Sequence, residues 1–241
     1  MAHGLPDWTI NAPTETTFVS QDQAELAVRL GYAGTEDRGG EVLWFDDFSN
    51  GLGDVTPREL TPATVVYPVL EPSYQRRFVL RSEHGTGKNT ACFLEKEFTE
   101  LKEGKYGLEG GMAHYQNMSL YYYDIQHYSA NRKYQYDIRY THSSGILAYL
   151  NSAGGYTNFA TIQTLLGAQT RFWVGKLVVD LQAKKYVRFV CKGVVYDLSG
   201  IACRDTAEVG TAYTKILIGY TAPGATTCYG YYSHMILTKE R

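Results

Sequence analysis

Net charge is nearly missing from this chain: 23 Lys and Arg stand against 25 Asp and Glu, a formal charge of -2. Such a balance sets up no long-range field to draw in DNA or an anionic membrane, so no nucleic-acid partner is expected. No apolar run reaches the length of a membrane span. The opening, Met1-Ala-His-Gly-Leu-Pro-Asp7, has no charged segment followed by an apolar one, so no signal peptide and cytoplasmic synthesis are expected. Cysteine is scarce: Cys92, Cys191, Cys203 and Cys228 form no CxxC pair, which argues against a zinc site of the usual spacing. Cys92 and Cys191 are expected as free core thiols, and a Cys203–Cys228 disulfide stays open. The six His are scattered, with no metal-ligand spacing. No Gly-x-Ser-x-Gly elbow is present. Gly85-Thr-Gly-Lys-Asn89 lacks both the full Walker spacing and a following helix.

Helix signal is scarce as well. One good stretch exists, Ser20 to Leu30, with Ser20 as N-cap, Gln23 completing a capping box and Gly31 at C′. It is too short to stand alone. Residues 32–40 are Gly-rich and charged, so residues 1–40 are expected as an arm with a helix at 20–30, and residues 41–241 as the main domain.

Strand signal fills the rest. Leu177, Val179 and Leu181 alternate with Lys176, Val178 and Asp180, the two-residue period of a half-buried strand. Gln182–Lys185 is a polar turn. Val187, Phe189 and Cys191 then alternate with Tyr186, Arg188 and Lys192, and Lys192-Gly193 makes a hairpin turn. Lys133 to Thr141 places Tyr134, Tyr136, Ile138 and Tyr140 on one face and Lys133, Gln135, Asp137 and Arg139 on the other. Ser119–His127 carries Tyr on both faces, so Tyr122 is expected outside if Tyr121 and Tyr123 are inside. The excess of Tyr, 21 residues, suits pleated surfaces where the ring is buried and the hydroxyl stays wet. Many short strands with regular turns mean an all-β, antiparallel sandwich or jelly roll.

Val42-Leu-Trp-Phe-Asp-Asp-Phe-Ser-Asn-Gly-Leu52 resembles the opening strand of concanavalin A-like lectin/glucanase domains. Leu177 to Leu198 is similar to the middle of that superfamily, and Tyr229–Thr238 stands where its last strand falls. The likeness covers roughly residues 42–238; the N-terminal part also resembles uncharacterised bacterial and phage-encoded proteins.

The resemblance implies three chemistries to look for. Glucanases of this fold use two strand carboxylates at an ExDxxE spacing. Here Glu95-Lys-Glu-Phe-Thr-Glu100 departs from it: Glu replaces the middle Asp, and Glu100 lies past the expected strand end. No catalytic residue is therefore assigned, and the Glu are expected on a solvated strand edge. Asp46 and Asp47 stand where relatives hold a structural Ca²⁺, although the final strand offers no carboxylate to complete the set; the alternative is an Asp pair capping the Asn50-Gly51 turn. Sugar recognition needs aromatic rings beside Asn and Asp, and the candidates are Tyr122, Asp124, Tyr128, Asn131, Tyr156 and Asn158. The same Tyr could instead lie in the core or between subunits. The resulting expectation is a non-catalytic lectin-like sandwich serving as a structural or surface component of a larger assembly, such as a phage particle. The arm would join it to copies of itself or to other subunits, and a glycan ligand is possible. A stand-alone carbohydrate-binding module, or a glycoside hydrolase or polysaccharide lyase, is the alternative.

Overall fold

The computed structural model describes residues 40–48, 51–59, 64–71, 77–84, 90–99, 101–115, 120–162, 172–222 and 228–240. The helix expected at 20–30, its arm and Glu100 lie outside them.

Every element among the described residues is a strand, and all pairings are antiparallel. The first sheet runs β13 (Val194–Asp197), β12 (Lys185–Cys191), β11 (Trp173–Asp180), β6 (Lys105–Tyr115), β16 (Cys228–Glu240), β4 (Arg77–His84), β3 (Thr64–Glu71). The short β1 (Glu41–Asp46) shares the β4 side of β16. The second sheet runs β10 (Tyr156–Thr161), β9 (Ile146–Leu150), β8 (Arg132–Thr141), β7 (Leu120–Ser129), β15 (Tyr213–Ala222), β5 (Thr90–Thr99), β2 (Thr56–Glu59), with β14 (Arg204–Ala207) on β8. The short strands β2 and β14 carry too little apolar alternation to announce themselves. β3 continues through Pro68, which an edge strand tolerates.

One core lies between the sheets. The second sheet contributes Tyr123, Ile125, Tyr136, Ile138, Ile216 and Ile218, and the first Leu108, Leu177, Phe189, Tyr232 and Leu237. Burial of this kind supplies roughly 25 cal/mol per Å² of apolar surface. Core tyrosines keep their hydroxyls bonded to backbone: Tyr186 donates to Leu150 O at 2.9 Å and accepts from Asp137 N at 2.9 Å.

One local expectation is corrected and one open question is closed. In β12 the register slips against β11 between Val178 and Val179, leaving Val187 as the extra residue of a bulge. The slip turns Tyr186, not Val187, into the core beside Phe189 and Cys191. Cys203 is a free, buried thiol beside Tyr136, so it forms no disulfide with Cys228.

A buried ion-pair network crosses the outer side of the first sheet. Glu240 Oε1 lies 2.6 Å from Lys176 Nζ, and Oε2 lies 2.7 Å from Arg188 Nη2. The Thr238 hydroxyl donates to Oε1 at 2.7 Å. Burial pushes the Glu240 carboxyl up, but the two cations and the hydroxyl outweigh it and hold it below the usual carboxylate range. Gly107 leaves the room for this contact: a Cβ there would stand 2.5 Å from Lys176 Cε.

Candidate functional site on the outer face of the second sheet

Strand alternation decides what the outer face of the second sheet carries. On β7, Tyr121, Tyr123 and Ile125 point into the core, so Tyr122, Asp124, Gln126 and Tyr128 point out. The β7–β8 hairpin closes through a two-residue turn, Ala130-Asn131, both at positive φ, with Ser129 opposite Arg132. This register sets Tyr122 opposite Arg139, Asp124 opposite Asp137, Gln126 opposite Gln135 and Tyr128 opposite Lys133. β9 sets Ala148 beside Arg139, and β10 brings Asn158 beside Ala148 and Tyr156 beside Leu150. On the other flank, Leu217 lies between Asp124 and Glu95, and Gly219 between Tyr122 and Phe93.

Five of the six residues proposed from sequence, Tyr122, Asp124, Tyr128, Tyr156 and Asn158, therefore share one face. Asn131 does not: it sits in the hairpin turn, exposed, with its carbonyl accepting from Glu208 N at 3.0 Å.

At the centre stand two carboxyls, Asp124 and Asp137, 6% and 5% exposed. Gln126 and Gln135 each donate to Asp124 Oδ2, at 2.5 and 3.0 Å. The Tyr156 hydroxyl donates to Asp137 Oδ2 at 2.5 Å. The Oδ1 atom of each Asp is buried without a hydrogen-bond partner. Burial pushes the Asp124 carboxyl up to about 6, against the lowering effect of the two amides, Lys133 and Arg58. Burial and the neighbouring Asp124 charge push Asp137 well above the usual carboxylate range, against the Tyr156 bond and Arg139. Two buried carboxylates in direct opposition resist ionising together, so the pair holds a proton to higher pH than either carboxyl would alone.

Rings surround the pair. The Arg139 guanidinium lies 3.9 Å from the Tyr156 ring centroid, Phe93 and Tyr122 meet at 5.6 Å, and Tyr128, itself buried, stacks on Tyr213 at 4.1 Å. Gly219 makes the Phe93–Tyr122 contact possible, because a Cβ there would stand 2.4 Å from Phe93 Cδ1 and 2.6 Å from the Cys92 carbonyl oxygen. Gly219→Val is expected to separate the two rings and cost about 1–3 kcal/mol, read by urea unfolding. A variant as stable as the parent would show that the strand has slack.

The ExExxE carboxylates Glu95 and Glu97 are placed only in part as expected. Both lie on β5, an inner strand between β15 and β2, but β2 pairs with it no further than Glu95, so Glu97 stands past that pairing with its side chain 58% exposed. Lys215 bridges them, at 3.5 Å from Glu95 and 2.9 Å from Glu97. Asp46 Oδ1 accepts from Phe48 N at 2.7 Å, the turn-capping arrangement. No group of three or more His, Cys, Asp or Glu placed to hold a metal occurs among the described residues.

Asp137, Arg139, Gln126 and Gln135 were not singled out from sequence, yet they complete the face. The signal was present: Asp137 and Arg139 alternate on the polar side of β8, and hairpin register alone pairs Asp124 with Asp137.

No protein-family model and no curated protein matches the sequence. Solved structures match the fold. The carbohydrate esterase of Shiga toxin-encoding bacteriophage phi24B superposes with TM-score 0.54 at 11% identity, over 84% of this chain and 100% of that one. The potassium-bound carbohydrate recognition domain of Emp46p gives 0.50 at 12% identity, over 81% and 93%. A sialidase gives 0.49 at 10% identity, and the match spans 83% of this chain but only 19% of that chain. The chain has the all-β, concanavalin A-like jelly-roll sandwich fold.

Proposed function

We propose that the protein is a lectin-like β-sandwich that binds glycan on the outer face of its second sheet and does not cleave it. One observation carries this reading: strand register gathers Tyr122, Asp124, Tyr128, Tyr156 and Asn158 on one surface, around a carboxyl pair whose outward rings and amides suit sugar hydroxyls and ring faces. The fold is compatible with such use, since in Emp46p it serves as a carbohydrate recognition domain. The state of the carboxyls supports the absence of cleavage. Glu95 and Glu97 are tied to Lys215, and Asp124 and Asp137 are closed beneath Tyr156, Gln126 and Gln135. A glycosidase needs a carboxyl pair opening on the substrate.

The test is a glycan array followed by titration calorimetry on a positive glycan. Tyr122→Ala and Tyr156→Ala are each expected to weaken binding by about 1–3 kcal/mol, the scale of one lost stacking ring. Full binding in both variants would move the site elsewhere. Turnover of the bound glycan, abolished by Asp124→Asn or Glu95→Gln, would replace this reading with a hydrolase.

Within the same proposal, the domain acts as a structural or surface component of a larger assembly such as a phage particle, joined through residues 1–40. Its test is the mass in solution with and without those residues. A monomer in both cases removes the assembly role and leaves the stand-alone binding module.

A further inference from the structure

A cleft of about 630 Å³ opens at the end of the sandwich, away from the strand positions that carry the ring-lined face. That volume lies within the ~300–1,000 Å³ range typical of small-molecule sites. Three connections meet there: the β5–β6 loop with Leu101, Lys102 and Glu103, the β7–β8 turn at Ala130, and the β11–β12 turn with Leu181, Gln182 and Lys184.

The cleft is preformed. Leu181 N donates to Gly104 O at 2.9 Å, tying the β11–β12 turn to the β5–β6 loop. Cys203 N donates to Lys184 O at 3.1 Å, and Glu208 N to Asn131 O at 3.0 Å. Leu101 N donates to the Thr214 hydroxyl at 3.3 Å, and that hydroxyl lies 2.9 Å from His127 Nδ1. Little ordering remains to be done when a ligand enters.

Backbone strain gathers at the same mouth. Lys184 and Ala130 hold positive φ, 56° and 51°, where side chains other than Gly, Asn and Asp are disfavoured. Gly would fit the last position of the β11–β12 turn without that penalty. Lys stands there instead, with its ammonium 2.9 Å from the Tyr134 hydroxyl and 4.4 Å from the ring centroid. Lys192 in the exposed hairpin turn holds a similar φ of 50°, so the strain alone does not set Lys184 apart; the placement of its ammonium on the cleft wall does. The charges facing the cleft are Lys102 and Lys184 against Glu103, with His127 deeper, 6.2 Å from Tyr134 and nearly parallel to it. Leu101 and Leu181 supply apolar surface, and Ser129 and Gln182 neutral polar groups.

We propose that this end cleft is a second ligand site, for a saccharide bearing a carboxylate, with Lys184 as the anchoring cation and Lys102 as its partner. The sugar carboxylate lies between the two ammonium groups, and its hydroxyls meet Glu103, Ser129 and Gln182. The site stands independently of the sheet face.

The test uses the full chain, tri-galacturonate as probe and neutral galactotriose as control, with calorimetry and thermal unfolding. The parent is expected to bind tri-galacturonate and to bind galactotriose at least about tenfold more weakly, the worth of one charge-assisted contact. Lys184→Gly is the decisive variant, because it removes the ammonium while relieving the backbone. It is expected to weaken tri-galacturonate binding about tenfold, with Tm unchanged or higher. Lys102→Gln is expected to weaken it in the same direction. Tyr122→Ala, on the sheet face, is expected to leave it untouched. Equal affinity for both trisaccharides, undiminished binding by Lys184→Gly, or loss of binding together with a fall in Tm would each overturn the assignment. The last result would make Lys184 a structural tie to Tyr134.

Discussion

At pH 7 the Asp137→Asn variant is expected to be more stable than its parent. A carboxyl whose folded pKa lies above its unfolded value makes the native state bind more protons than the unfolded one. Stability then falls as pH rises from the unfolded value, near 3.8 for Asp, towards the raised folded one. Asparagine has the same shape and needs no proton. Its carbonyl keeps the Tyr156 bond, and its amide can donate to the orphaned Asp124 Oδ1. Urea unfolding at pH 7 and at pH 3.5 reads the effect: the gain belongs to pH 7 and vanishes at pH 3.5. A variant no more stable than the parent at pH 7, or equally improved at both, would remove the proton from the pair.

Glu240→Ala has the largest expected effect in the other direction, a loss of about 3–5 kcal/mol. The carboxylate pairs with a Lys176 side chain only 4% exposed, and its removal takes away the negative charge 2.6 Å from that buried ammonium. The Arg188 contact adds less, since that side chain is 33% exposed and partly screened by water. The double variant Lys176→Met/Glu240→Leu is expected to recover most of the loss, because an apolar pair of similar volume avoids the desolvation penalty. The pH sign is opposite to that of the Asp pair. Glu240 sits below its ordinary value, so its contribution is present above about pH 4.5 and lost as pH falls through the lowered value. Chemical denaturation of the single and double variants is the measurement. A single-variant cost below about 1 kcal/mol, the scale of a surface pair, would show that water reaches the network.

The architecture was legible where alternation was clean. Leu177, Val179 and Leu181 are buried as their period predicts, and so are Tyr134, Tyr136, Ile138 and Tyr140, but Lys176 and Val178 on the other face of β11 are buried too, so that strand is not half-buried as expected. Bulges were not legible, because an extra residue leaves no mark in composition; the β12 slip at Val187 reversed the expected facing of Tyr186 for that reason. The candidate face was half legible. Its tyrosines and Asn158 stood out as residue types, but the carboxyl pair depends on register. The two-residue turn Ala130-Asn131 fixes that register. Ala at positive φ is an unusual turn residue, so the turn gave little warning. The end cleft was illegible, since its three connections are brought together only by closure of the sandwich.

The position of β16 carries a consequence for biosynthesis. This strand is the keel of the first sheet, laid between β6 and β4, yet it follows β6 by a long interval: the Thr238 hydroxyl bonds Gly107 O across 131 residues. A nascent chain leaving the ribosome therefore presents β6 and β4 with bare edges until more than a hundred further residues have emerged. Open strand edges are sticky, and such non-local closure is slow. Rapid overproduction is expected to fill inclusion bodies, and slower translation at low temperature or added chaperone to return soluble protein.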